Sequence, residues 1–220
     1  MQLSTTPNID FEQLVDHIAE HGFCVIDHFL PEDAVTDLAN EARQLKQAAI
    51  MQEAGIGREH LAVNKTIRSD SIYWLNEENA SEAQKSYFDQ MEQLKRNLNQ
   101  QLYAGLFGLE SHLAVYPVGA FYKRHLDCFA TADLNKPQRK ISCIVYLNQH
   151  WQPEDGGQLR LYLNGNDDRL NNEKYMDILP IAGRAVIFLS DCFYHEVLPA
   201  NRVRLSLTGW LFNRPLSAGS

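Results

Sequence analysis

The chain has 220 residues, 45% of them hydrophobic and 22% charged, a globular balance that excludes a mostly disordered polypeptide and leaves room for one sizeable core. Lys plus Arg number 20 against 28 Asp plus Glu, a formal charge of −8, and without a clustered basic run this excludes nucleic acid as the default partner. The apolar runs are too short to cross a bilayer as helices, so no membrane partner is expected.

In chain order, residues 10–21 (DFEQLVDHIAEH) set Phe11, Leu14, Val15 and Ile18 on one helical face, and Gly22 is a stop signal. GFCVID at 22–27 predicts a short buried strand. Pro31 opens a second helix, PEDAVTDLANEARQLKQA, with acids in its first turn. Residues 52–79 contain Gly55 and Gly57 and mixed polarity, which predicts a long loop with short extended pieces; loops of that length are often functional. A third helix is predicted over about 80–104, where Tyr87, Met91, Leu94, Leu98 and Leu102 step by three or four.

From about residue 112 the pattern becomes a series of short β-rich runs: HLAVYP, AFYKRH, KISCIVYLN, GQLRLYL, RAVIFL, YHEVL and RVRLSLTGWLF. Gly, Pro, Asn and Asp punctuate them. The predicted fold is α+β and mainly β, a jelly-roll (double-stranded β-helix, cupin-like) core with the N-terminal helices packed on one sheet. Without a linker between the halves, residues 1–220 are read as one domain, with 1–111 a mainly helical support and 112–214 the β core. The four cysteines form no CxxC pair, and the first residues lack the charged start and apolar centre of a signal peptide. The expected location is therefore the cytoplasm.

Three features of the β half converge on one chemistry. His125 is the only one of eight histidines with an acid two residues on, Asp127; on a strand these side chains share a face and can grip one ion. His195 follows 70 residues later, after several strands. A jelly roll brings such strands side by side, and two histidines with one carboxylate make the facial triad of non-haem iron(II) oxygenases. Alone, H-x-D is a pattern any surface strand produces, and His195 reads equally well as a satisfied strand-end histidine. The third feature is Arg204, nine residues after His195, an offset no other histidine has. Arg204, Ser206, Thr208 and Trp210 alternate with Leu205, Leu207 and Leu211, so a cation faces a predicted interior. An anionic ligand there explains it, since guanidinium binds carboxylate through two parallel bonds. Two other readings of the residues stay open: a non-catalytic jelly-roll module whose triad holds zinc or nothing, and a zinc hydrolase.

In these residues the sequence resembles the iron(II)- and 2-oxoglutarate-dependent oxygenases, and among them the prolyl hydroxylases of the hypoxia-inducible-factor type and their bacterial relatives. The likeness includes GFCVIDHFL, Ile67-Arg68-Ser69-Asp70 with Tyr73-Trp74, Tyr116-Pro117, YKRHLD, ISCIVYLN, Trp151, GGQLR, Ser190-Asp191 and HEV, in order from about 22 to 214. The resemblance implies that His125, Asp127 and His195 ligate iron(II) and that Arg204 pairs with the distal carboxylate of 2-oxoglutarate beside Tyr146 and Thr208. It implies that Tyr116, Tyr122, Arg139, Asp70 and Trp210 line the co-substrate or substrate pocket. It places a mobile substrate loop at 58–76, and it brings O2 as second co-substrate and ascorbate as an accessory reductant. The implied substrate is a prolyl residue in a protein, with elongation factor Tu as the bacterial candidate. A same-scaffold oxygenase acting on a free amino acid or small molecule is the alternative. The stretch from Tyr116 to His125 is one residue shorter than in the family, and the segment after Asp127 is longer.

Overall fold

The computed structural model describes residues 9–54, 67–128, 136–163 and 174–214. The chain begins with α1 (Phe11–His21), whose Asp10 side chain accepts from the Gln13 amide and whose C-cap Gly22 takes a left-handed φ of 78°, a conformation that costs glycine least. β1 (Phe23–Ile26) and α2 (Glu32–Gln47, entered from Pro31) follow as the sequence predicts. Next come the two-residue β2 (Gln52–Glu53), β3 (Ser71–Trp74) and α3 (Glu82–Leu102, with Ser81 as N-cap). The strands β4 (Leu106–Tyr116), β5 (Tyr122–His125), β6 (Arg139–Tyr146), β7 (Leu159–Tyr162), β8 (Tyr175–Ile178), β9 (Ala185–Leu189), β10 (His195–Val197) and β11 (Arg204–Asn213) complete the described chain.

They form two sheets of the double-stranded β-helix. The larger has strand order β1-β9-β6-β11-β4-β3-β2 and the smaller β5-β10-β7-β8. Every strand pairing is antiparallel. Period-two alternation then sorts the large sheet into two faces. Leu113, Val115, Cys143, Val145, Leu205, Leu207 and Leu211 meet the apolar faces of the helices, among them Leu14, Ile18, Leu38, Tyr87, Met91 and Leu98, in one core. The alternate residues Ala114, Tyr116, Ile144, Tyr146, Val186 and Phe188 meet Leu159, Leu161, Ile178 and Val197 of the small sheet in a second core. The helices therefore cover one face of the large sheet, as predicted, and leave the other to form the interior of the roll.

α3 approaches the sheet closely at Gly209. A Cβ there would lie 2.1 Å from Tyr87 Oη, and that hydroxyl bonds Ser111 Oγ at 2.9 Å. The sheet needs a residue without a side chain at this point.

Three sequence expectations shift. β4 begins at Leu106, six residues before the predicted change to β structure, because its first residues LFGLE lack a two-residue alternation. The 52–79 segment contributes a true sheet strand: Ser71, Ile72, Tyr73 and Trp74 pair with Val115, Ala114, Leu113 and His112. Of the 58–76 segment predicted to fold over substrate, 58–66 lie outside the described residues, and the remainder includes β3. β8 carries no apolar signal, since Tyr175, Met176 and Asp177 are all exposed, and no strand was predicted there.

Candidate functional site

β5 and β10 are neighbours, and His125 and His195 are direct cross-strand partners. Each imidazole turns its Nδ1 back to a carbonyl two residues upstream on its own chain segment, His125 to Lys123 O at 2.8 Å and His195 to Phe193 O at 3.1 Å. Both Nε2 atoms therefore point toward the carboxylate of Asp127, at 3.7 and 3.6 Å. The three ligand atoms all lie within 4.8 Å of one another. Asp127 Oδ2 accepts from Ser142 Oγ at 2.7 Å, and that hydroxyl contacts Ser190 Oγ at 2.9 Å. Such outer bonds fix the orientation of a ligating carboxylate.

The electrostatics suit a cation. Burial, and then the neighbouring His195, hold the His125 imidazole well below its usual pKa, so it keeps a lone pair for a metal. Burial alone would raise the Asp127 pKa, but His195, His125, Arg139 and the Ser142 bond together take it below the carboxylate range. An ionised carboxylate flanked by two imidazoles is the donor set a divalent first-row metal takes, and its one-sided placement leaves positions open.

Deeper in the roll, Arg204 is 1% exposed. Its Nε donates to Gly157 O at 2.9 Å and its Nη1 lies 3.5 Å from Ser206 Oγ. Among the described residues no carboxylate pairs with it, and its Nη2 has no hydrogen-bond partner. Tyr116 and Tyr146 flank it, with the guanidinium carbon 5.0 Å from each ring centre. Tyr146 Oη is also unpartnered. Burial pushes the Tyr146 phenol up to about 12, against the pull of the Arg204 cation, and burial likewise raises Tyr116. Thr208 is half-buried on the same face, between His112 of β4 and Ile144 of β6. A buried, unpaired guanidinium beside an unpartnered phenol is a costly arrangement unless an anion completes it. The residues present thus fit both a metal and a carboxylate-bearing co-substrate.

The rim is aromatic and cationic. Tyr122 stacks on His125 at 3.6 Å, and Arg68 lies over Tyr122 at 4.6 Å. Arg139 stacks on Trp210 at 3.6 Å and pairs with Glu110. Trp210 also meets His112 and Trp74, the latter 42% exposed. Asp70 departs from its predicted place among substrate contacts. Its side chain has no exposed surface, and both carboxylate oxygens are engaged by Arg68 at 2.6 and 2.8 Å. Asp70 anchors Arg68, and through it Tyr122.

Five further residues belong to this site without having been predicted in it. Ser142 and Ser190 stood within the ISCIVYLN and Ser190-Asp191 matches without an assigned role. Arg68 and Trp74 stood within the IRSD…YW run without an assigned role. His112 was legible by alternation, since it shares a strand face with Tyr116 four residues on.

A jelly roll carrying a His-x-Asp…His face and an inward arginine nine residues after the last histidine defines the iron(II)- and 2-oxoglutarate-dependent oxygenase class. Residues 111–212 match the model of the 2OG-Fe(II) oxygenase superfamily. The chain resembles the crystal structure of a Pseudomonas putida prolyl-4-hydroxylase at 43% identity and a TM-score of 0.80, covering 91% of this chain and 98% of that one. It resembles a Trichoplax adhaerens prolyl hydroxylase, solved with a hypoxia-inducible-factor peptide fragment, at 31% identity and a TM-score of 0.79, covering 95% and 93%. Human Egl nine homolog 1 is 30% identical over 210 residues, 92% of this chain, and the chain spans 46% of that relative's length. The protein belongs to the iron(II)- and 2-oxoglutarate-dependent oxygenases and, within them, to the prolyl hydroxylases of the hypoxia-inducible-factor type. Among the described residues no helix is long and apolar enough to cross a membrane.

Proposed function

We propose that the protein hydroxylates a prolyl residue of a protein substrate and couples this to conversion of 2-oxoglutarate and O2 to succinate and CO2. The observation that carries this reading is Arg204, buried and without an acidic partner among the described residues, where its Nη2 and the nearby Tyr146 Oη both lack a hydrogen-bond partner. When bound, iron(II) supplies the activation of O2 and the oxidative decarboxylation of 2-oxoglutarate.

The chain's own residues do the rest. His125, Asp127 and His195 hold the metal from one side. Ser142 holds the Asp127 carboxylate in place. Arg204 takes the distal carboxylate of 2-oxoglutarate in the fork geometry guanidinium offers, with Tyr146 donating beside it and Thr208 further along the same face. Gly157 matters to this clamp: its carbonyl orients Arg204, and a Cβ there would lie 3.2 Å from Arg204 Cδ and 2.8 Å from Ala200 Cβ. The packed interior keeps bulk water from the reacting atoms. At the mouth, Trp74, Tyr122 and Arg139 offer flat apolar surfaces and a cation, which suits a pyrrolidine ring on a peptide better than a free zwitterionic amino acid.

The substrate named here is elongation factor Tu, and its support is the likeness to a bacterial prolyl-4-hydroxylase. In this reading the protein acts in the cytoplasm, ascorbate maintains iron(II), and nucleic acid is no partner, in keeping with the net charge of −8. The test is mass spectrometry of prolyl peptides of that factor after incubation with iron(II), with and without 2-oxoglutarate. The expected result is gain of one oxygen atom on a single proline, only with 2-oxoglutarate. Unchanged peptides alongside hydroxylation of free proline would transfer the reading to a small-molecule oxygenase.

A further inference from the structure

Among the described residues, four buried side-chain atoms have no hydrogen-bond partner: Arg204 Nη2, Tyr146 Oη, His112 Nδ1 and Trp210 Nε1. Strand register sorts them into two pairs on one interior face. Arg204 lies opposite Tyr116, and Tyr146 lies opposite Ser206, at one end. His112 lies opposite Thr208, and Trp210 lies opposite Ser142, at the other. Ser142 is the residue whose hydroxyl holds Asp127, so the second pair is on the metal side. Bare polar atoms at both ends of a buried face call for a ligand that is polar at both ends, because each unpaired group carries a desolvation cost. 2-Oxoglutarate is such a ligand, with one carboxylate for Arg204 and another beside its keto group.

We propose that His112 is a co-substrate-binding residue whose imidazole N–H donates to the keto-end carboxylate of 2-oxoglutarate, with the Trp210 indole N–H as its companion donor. This rests on the oxygenase reading above. His112 is 2% exposed, and its ring is wedged between Trp74 at 5.0 Å and Trp210 at 5.2 Å, so it is held at one orientation. Burial first, and then the cations Arg68 and Arg139, hold the ring neutral. It therefore brings one donor without another charge.

The test is calorimetric titration of 2-oxoglutarate into the manganese(II)-loaded protein, without peptide. His112→Leu is expected to raise Kd by about tenfold or more, the size of a lost bond to a charged group. His112→Asn, whose amide nitrogen can stand where Nδ1 stands, is expected to recover most of the affinity. Manganese affinity is expected to be the same in all three proteins. An unchanged Kd in His112→Leu overturns the proposal, as does an equal loss in both variants, which would mark a packing role. Unchanged 2-oxoglutarate affinity with a raised KM for prolyl peptide also overturns it and assigns the histidine to the substrate. Failure of the oxygenase reading itself looks different: the unmodified protein would then bind no 2-oxoglutarate at all.

Discussion

Arg204 illustrates how a residue can be poorly placed for the isolated fold and well placed for a ligand. A guanidinium at 1% exposure, paired with one carbonyl and a distant hydroxyl, contributes little to folding. Arg204→Met should therefore leave the thermal midpoint of the ligand-free protein unchanged or raised, as differential scanning calorimetry would read. A fall of many degrees would mean the cation has a structural partner. Ser142 makes the opposite case, a small residue with a positional duty. Ser142→Ala removes the bond to Asp127 Oδ2 and should weaken divalent-metal affinity about 10–100-fold, the range for such supporting bonds, with the fold intact by circular dichroism. Equal metal affinity would show that Asp127 needs no such support. Of these residues, Arg204 was legible in the sequence because its offset from His195 is visible in one line of text. Ser142 was not: a serine in ISCIVYLN looks like any other small residue until register sets it beside the ligand.

At the level of elements, the site depends on β5, β6, β10 and β11 keeping their register, since a slip of one residue would turn every inward side chain outward. Gly209 protects that register on the outer face. Gly209→Ala would bring a Cβ to 2.1 Å from Tyr87 Oη and break the fit of α3 on the sheet. The expected loss is about 2–4 kcal/mol in denaturant unfolding, the size of an overpacked or lost core contact; a change below about 0.5 kcal/mol would show that α3 shifts freely. Asp27, just after β1, forms a bidentate ion pair with Arg184, just before β9, at 2.6 and 3.0 Å. The Arg184 hydrogen bonds hold the Asp27 pKa below its ordinary value. A depressed carboxylate stabilises the fold above its unfolded pKa and loses that contribution as pH falls through the folded one. Asp27→Asn should therefore flatten the stability profile below about pH 4 by a small amount, because the pair is half exposed and such pairs are worth about 0.2–1 kcal/mol. A steeper acid loss in the variant would contradict this. α1, α2, α3, β1 and the seven strands of the β half other than β8 were legible, the helices by their apolar period and the strands as short β-rich runs between turn residues. β8 was not, since most of its residues face solvent, and β3 was hidden in a polar, glycine-containing stretch.

At the scale of the whole molecule, the helices cover one face of the large sheet and the small sheet covers the other, so the polar, charged cleft lies inside the roll beside the core between the two sheets. The jelly roll was legible as an order of short strands. The interior chemistry was legible only where the sequence alternation was strict, as at Arg204–Trp210. The pairing that joins His125 to His195 across 70 residues needed the closed roll. The central proposal is that this cleft inside the roll binds 2-oxoglutarate, with metal at one end and Arg204 at the other. The most direct measurement is calorimetric titration of 2-oxoglutarate into the manganese(II)-loaded protein and its Arg204→Met variant. The account predicts one binding event per chain in the unmodified protein and loss of at least about 2 kcal/mol of binding free energy in the variant, as expected when a charged, buried pair loses one partner. Equal binding by the two proteins, or none by the unmodified one, would contradict it.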